Sequence, residues 1–175
     1  IPGKDVYLTS SNRNRDVFVV SALSDRTGPK YYLYDAKTKK LDFLLDSTPW
    51  MKEEALVEMK PVQYKSRDGL TIHGYLFTPK NSTGKNLPVV INPHGGPWAR
   101  DIWGYHAESQ FLANRGYAVF KMNFRGSTGF GKKFWMASFK QWGLKMQDDV
   151  TDGVNWLINQ GIADRDRVAI YGGSY

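Results

Sequence analysis

Hydrophobic positions in this chain fall into two regimes. Up to about residue 45 they come in short runs rich in β-branched and aromatic residues: Val17–Val20, Tyr31–Tyr34 and Leu41–Leu45. Polar turn segments separate them, Ser24–Pro29 and Asp35–Lys40. Runs of this length bounded by Gly, Pro, Asp and Ser predict an antiparallel meander. The spacing suits one blade of a β-propeller, and equally any other meander. Residues 46–60 carry Pro49, Trp50, Glu53 and Glu54 and read as a connector. We place a domain boundary near Met59–Pro61, which divides the chain into 1–60 and 61–175.

From Pro61 the pattern changes. Val62–Ser66 and Leu70–Phe77 flank Arg67-Asp68-Gly69, and Asp-Gly between alternating runs signals a hairpin. Val89-Val90-Ile91 is a continuous apolar run, as in a strand buried on both faces. A helix is predicted over 105–115, with Phe111 and Leu112 inward and Gly116 as its stop. Residues 117–122 form the next strand, and 123–134 a glycine-rich loop. Val150, Val154, Leu157 and Ile158 make one stripe of a helix over 148–160 that ends at Gly161. A last strand, Val168–Ile170, runs into Tyr171-Gly172-Gly173-Ser174-Tyr175. Strands alternating with helices predict an α/β fold with a mostly parallel sheet, and put Ser174 at the carboxyl end of a central strand.

Composition narrows the possibilities. The chain has 175 residues, 41% hydrophobic and 14% aromatic, enough for a packed core. It has no cysteine, which removes disulfides, thiolate metal sites and a thiol nucleophile. Its longest apolar runs are too short to span a membrane. The chain starts Ile-Pro-Gly-Lys, so it is read as beginning mid-protein or after processing, and targeting is not legible. The net charge of +7 raises nucleic-acid binding, but the basic residues are dispersed, so no nucleic-acid partner is expected.

Gly172-Gly173-Ser174 begins a G-x-S-x-G nucleophile elbow, in which a serine sits on a strained strand-to-helix turn. His94-Gly95-Gly96-Pro97, at the end of a buried strand, supplies glycine amides that can approach a substrate oxygen. Ser174 is then the candidate nucleophile, with the Tyr175 backbone N–H as one oxyanion donor and a glycine amide of the His94–Pro97 loop as the other. In this fold the acid and the base follow the serine in the chain, whereas His73, His94 and His106 all precede it. We therefore expect the chain to stop before its acid and base and to be inactive alone. His94 is read as bracing its loop, and His73 and His106 as structural or surface residues. Gly126 to Lys132 imitates a phosphate loop, but Lys133 stands where Ser or Thr is needed. Asp148 and Asp149 at a helix start are read as offsetting its positive end rather than holding a metal. No cofactor and no metal are expected.

Five segments in order resemble the prolyl oligopeptidase family of serine peptidases, especially its acylaminoacyl-peptidase-like and dipeptidyl-peptidase-like branches. They are Ser66–Leu70 with Ile72–Tyr75, His94–Pro97, Asn123–Gly131, Asp149–Leu157, and Ala163–Tyr175. The resemblance covers roughly 60–175. It implies the tail of a β-propeller followed by the first half of an α/β-hydrolase domain. It also implies a cytoplasmic or periplasmic peptidase that cleaves short peptides through an acyl-enzyme on Ser174, with the Gly96 and Tyr175 amides as its oxyanion donors. An esterase or lipase of the same fold, or a non-catalytic interaction module built on it, stays open. Half of such a sheet leaves an open strand edge, so we expect a partner there, either further chain of the same domain or a second copy.

Overall fold

The computed structural model describes residues 1–175. They divide into two compact units: Ile1–Leu56 with Trp103–His106, and Val57–Ile102 with Ala107–Tyr175.

The first unit is a four-stranded antiparallel meander, β1 (Asp5–Ser11), β2 (Val17–Ser24), β3 (Thr27–Asp35) and β4 (Lys40–Asp46), paired in chain order. The sequence marks no separate strand before Val17, because Asp5–Ser11 lacks a clear alternation. Pairing against β2 makes it one, and it remains exposed throughout. Lys4 ties the unit together by donating to Thr27 Oγ1 at 2.6 Å and to Glu53.

The second unit holds a mixed five-stranded sheet with three helices. Its strands are β5 (Met59–Lys65), β6 (Thr71–Phe77), β7 (Leu87–Ile91), β8 (Ala118–Asn123) and β9 (Ala163–Ile170), in the order β5-β6-β8-β7-β9. β7 pairs in parallel with β8 and with β9, whereas β5–β6 and β6–β8 are antiparallel. The sheet is therefore mixed rather than mostly parallel. The Asp68-Gly69 hairpin adds two antiparallel ladders to a short parallel segment. The sequence places β9 centrally, but here it is an outer strand with β7 as its one partner. It also starts earlier than expected, at Ala163, which pairs with Leu87; Asp164–Arg167 form an irregularity before pairing resumes at Val168.

Helix α1 (Ala107–Asn114) differs from its expected orientation. Ser109, Gln110 and Ala113 are buried, while Phe111 is 55% exposed beneath the Arg115 guanidinium. Gln110 can face inward because its amide exchanges two hydrogen bonds with the backbone of Val57. A short helix α2 (Lys132–Met136) starts inside the stretch read as loop. Helix α3 (Lys145–Asn159) begins one turn earlier than the apolar stripe suggests, and Val150 and Leu157 are buried as that stripe requires. The core beneath the sheet comprises Ile72, Phe120, Met122, Phe124, Val150 and Leu157, among others. No helix is long and apolar enough to cross a membrane.

Candidate active site

β7, the 123–131 loop, α3 and β9 converge on residues 92–97 and 171–175. Ser174 follows β9 after two glycines and has φ +61°, the left-handed region that a side chain enters only at a cost. This is the strained turn the elbow motif calls for. The His94–Pro97 loop lies directly against it. A β-carbon on Gly95 would sit 2.7 Å from Gly173 O and 3.1 Å from Ser174 Cβ, so nothing larger than glycine fits there. Gly96 has φ +137°, again suited to glycine.

Ser174, Gly96 and Tyr175, the three residues singled out from sequence, line one open cleft of about 460 Å³. Pro97, Trp142, Met146, Gln147 and Ile170 complete most of its wall, and none of its lining side chains is charged. Trp98 extends this wall through ring contacts with Trp135, Phe139 and Trp142. The Tyr175 hydroxyl donates to Gln147 Oε1 at 3.3 Å. Burial, with the Asp149 carboxylate second, pushes that phenol up to about 12.

His94 does not face the serine. Its Nδ1 lies 2.7 Å from Gly95 O and its Nε2 2.8 Å from Ser127 Oγ. A carbonyl oxygen can only accept, so Nδ1 carries the proton. The ring stacks on Phe124, with centroids 4.4 Å apart, and Phe124 meets the Tyr175 ring edge-on. His94 thus braces the loop from below. His73 stacks on Phe130, in keeping with a structural residue.

Sequence reasoning missed the ionic cluster behind the site. Arg125, 4% exposed, places its guanidinium between Asp149, fully buried, and Asp68. Nη2–Oδ1 of Asp149 measures 2.7 Å and Nη1–Oδ2 of Asp68 2.8 Å. Asp149 Oδ2 also accepts from the Arg125 backbone N–H, and Asp149 Oδ1 from the Ser66 hydroxyl. The Arg125 guanidinium holds the Asp68 carboxyl well below the usual carboxylate range, and both acids raise Arg125 further. At Asp152 burial pushes upward, and hydrogen bonds from the Arg67 side chain and backbone outweigh it and lower the carboxyl. The signal available from sequence was the pair of Asp-containing segments already quoted. Nothing in their spacing says that Asp149 reaches a buried arginine instead of solvent.

Residues 103–175 match the model of the prolyl oligopeptidase family. The chain is 41% identical to dipeptidyl aminopeptidase BIII of Pseudoxanthomonas mexicana, over 99% of this chain and 26% of that protein. It is 34% identical to the acylamino-acid-releasing enzyme of Sus scrofa, over 67% of this chain and 16% of that one. Among solved structures, a puromycin-hydrolysing peptidase of Mycobacterium tuberculosis superposes with a TM-score of 0.79 at 26% identity. That match covers 90% of this chain and 25% of the other. The chain thus spans about a quarter or less of the length of these relatives. With the serine turn, the glycine loop beneath it and these relatives together, the chain belongs to the prolyl oligopeptidase family.

Proposed function

We propose that this protein is a serine peptidase that hydrolyses short peptides through an acyl-enzyme on Ser174. Residues 1–60 then represent the end of a β-propeller, and 61–175 the first part of an α/β-hydrolase domain. The observation that carries the reading is Ser174 at φ +61°, packed over Gly95 with no room for a side chain between them.

The chemistry follows from the geometry. Ser174 Oγ attacks the scissile carbonyl carbon as a base removes its proton. The carbonyl oxygen gains negative charge, and the N–H groups of Gly96 and Tyr175 receive it, each such donor being worth about 3 kcal/mol. The amine leaves with the proton returned by the base, and water then hydrolyses the ester on Ser174. His94 is engaged with Gly95 and Ser127, so the base is not His94. This reading assigns neither the acid nor the base.

The test uses the protein as its source produces it. Reaction with a fluorophosphonate probe should give one adduct, on Ser174, with hydrolysis of a peptidyl amide that Ser174→Ala abolishes. A peptidyl ester measured alongside separates peptidase from esterase. Hydrolysis that survives Ser174→Ala, or no adduct at all, sinks the proposal.

A further inference from the structure

Lys121 is an odd residue for its place. It stands in β8, the third of five strands, and its side chain is 9% exposed. Its ammonium donates to Asn92 Oδ1 at 2.6 Å and pairs with Asp101 Oδ1 at 3.2 Å, and the Asp101 side chain is 7% exposed. Asp101 Oδ2 is buried without a hydrogen-bond partner. A buried pair with one oxygen unsatisfied is a poor source of stability. Well-packed apolar residues of similar volume commonly do as well or better.

The partners of this pair account for its presence. An ammonium has donors only, so it obliges the Asn92 amide to turn its oxygen toward Lys121. The Nδ2 group must then face the other way, and there it donates to Tyr171 O at 2.7 Å. Tyr171 is the last residue before the Gly172-Gly173-Ser174 turn. Backbone pairing of β7 ends at this point, with Tyr171 N–H on Ile91 O on the β9 side and Asn92 N–H on Phe120 O on the β8 side. The Asn92 side chain therefore continues a ladder the backbone has left. On its other side Lys121 holds Asp101, whose backbone exchanges two hydrogen bonds with the Asn123 amide. Asp101 ends the segment that starts with the glycines of the oxyanion loop.

We propose that Lys121 is a positioning residue for catalysis: through Asn92 and Asp101 it holds the serine turn and the oxyanion loop in register. Its ammonium touches neither the substrate nor the serine. The proposal rests on the serine-peptidase reading of Ser174.

The experiment compares the natural protein with Lys121→Met/Asp101→Asn and with Asn92→Asp. The first removes both charges at similar volume, so no lone carboxylate is left buried. The second keeps an acceptor for Lys121 and loses the donor to Tyr171. Readouts are kcat and KM on a peptidyl p-nitroanilide, the fluorophosphonate labelling rate of Ser174, and thermal unfolding. Both variants should keep KM within about 3-fold and lose about 10- to 100-fold in kcat, the scale of a sub-ångström to 1 Å misplacement, with labelling slowed alike. The double variant should unfold near the temperature of the natural protein. Wild-type kcat and labelling in either variant overturns the proposal. So does a loss that appears only with a large fall in unfolding temperature and a matching rise in KM. Failure of the natural protein itself to be labelled overturns the peptidase reading, and this proposal with it.

Discussion

Gly95 makes the sharpest test at the level of single residues. Its missing side chain is the space the serine turn occupies, with backbone rather than a flexible side chain as the obstacle. Gly95→Ala in the natural protein should therefore push the oxyanion loop off the turn. We expect peptidase activity to fall about 100-fold or more, on the scale of losing one oxyanion donor, with the protein still folded. Near-wild-type kcat/KM in that variant would contradict the contact. Asp68 gives a second test, through pH. Its carboxyl is held low by Arg125, so the stability it contributes is present above the ordinary carboxylate value and is lost as pH falls toward its folded-state value. The gap in unfolding free energy between the natural protein and Asp68→Asn should be widest near neutrality. It should narrow below about pH 4, where an unfolded aspartate takes up its proton. Urea unfolding at a series of pH values reads this directly, and a gap that widens on acidification gives the opposite sign.

At the level of elements, α3 shows packing overruling propensity. Gly153 lies inside this helix, where alanine would be favoured by about 1 kcal/mol. A β-carbon there would stand 2.9 Å from Tyr64 Oη and 3.0 Å from the Phe120 ring. Tyr64 cannot give way cheaply, because it is buried and its hydroxyl donates to Asp149 O. Overpacking costs about 1–3 kcal/mol, so Gly153→Ala should destabilise despite the better helix former. Thermal unfolding decides it, and a raised Tm would mean that β5 and α3 leave room for a methyl group. Gly74 has the same explanation in β6, where a β-carbon would lie 2.7 Å from Lys121 O and 2.8 Å from the Phe120 ring.

For the whole molecule, the exposed edge matters most. β9 is paired on one side, and Ile170 and Tyr171 at its carboxyl end are 60% and 51% exposed. Beside it an apolar groove of about 590 Å³ lies between α1 and the sheet, lined by Val90, Phe111, Leu112, Ala169 and Tyr171 among others. Unpaired backbone flanked by apolar side chains is a template for further strands. Residues 1–175 produced alone should therefore self-associate at micromolar concentrations, and Ile170→Lys should reduce it, as charges do on natural edge strands. Sedimentation velocity checks both, and a monodisperse monomer of the unsubstituted chain would count against an edge that needs covering.

Features that depend on near neighbours in the chain were legible without coordinates. Most strands, the Asp68-Gly69 hairpin, the stripe of α3 and the glycines around Ser174 each carry a local signal, because periodicity and turn chemistry act over a few residues. The strand Asp5–Ser11, the short helix α2 and the inward face of α1 were not legible. The first exists through pairing with β2, and the last through a buried Gln110 whose partners lie on Val57. The order of strands was likewise a tertiary matter, since an apolar run does not say which neighbour it meets. So was the support of the site. Sequence could nominate Ser174, Gly96 and Tyr175 by motif, but only the fold could bring Arg125 to Asp149 and Lys121 to Asn92 and Asp101. Those contacts join side chains far apart in the chain, and no local pattern records what a long polar side chain will find once water has been removed around it.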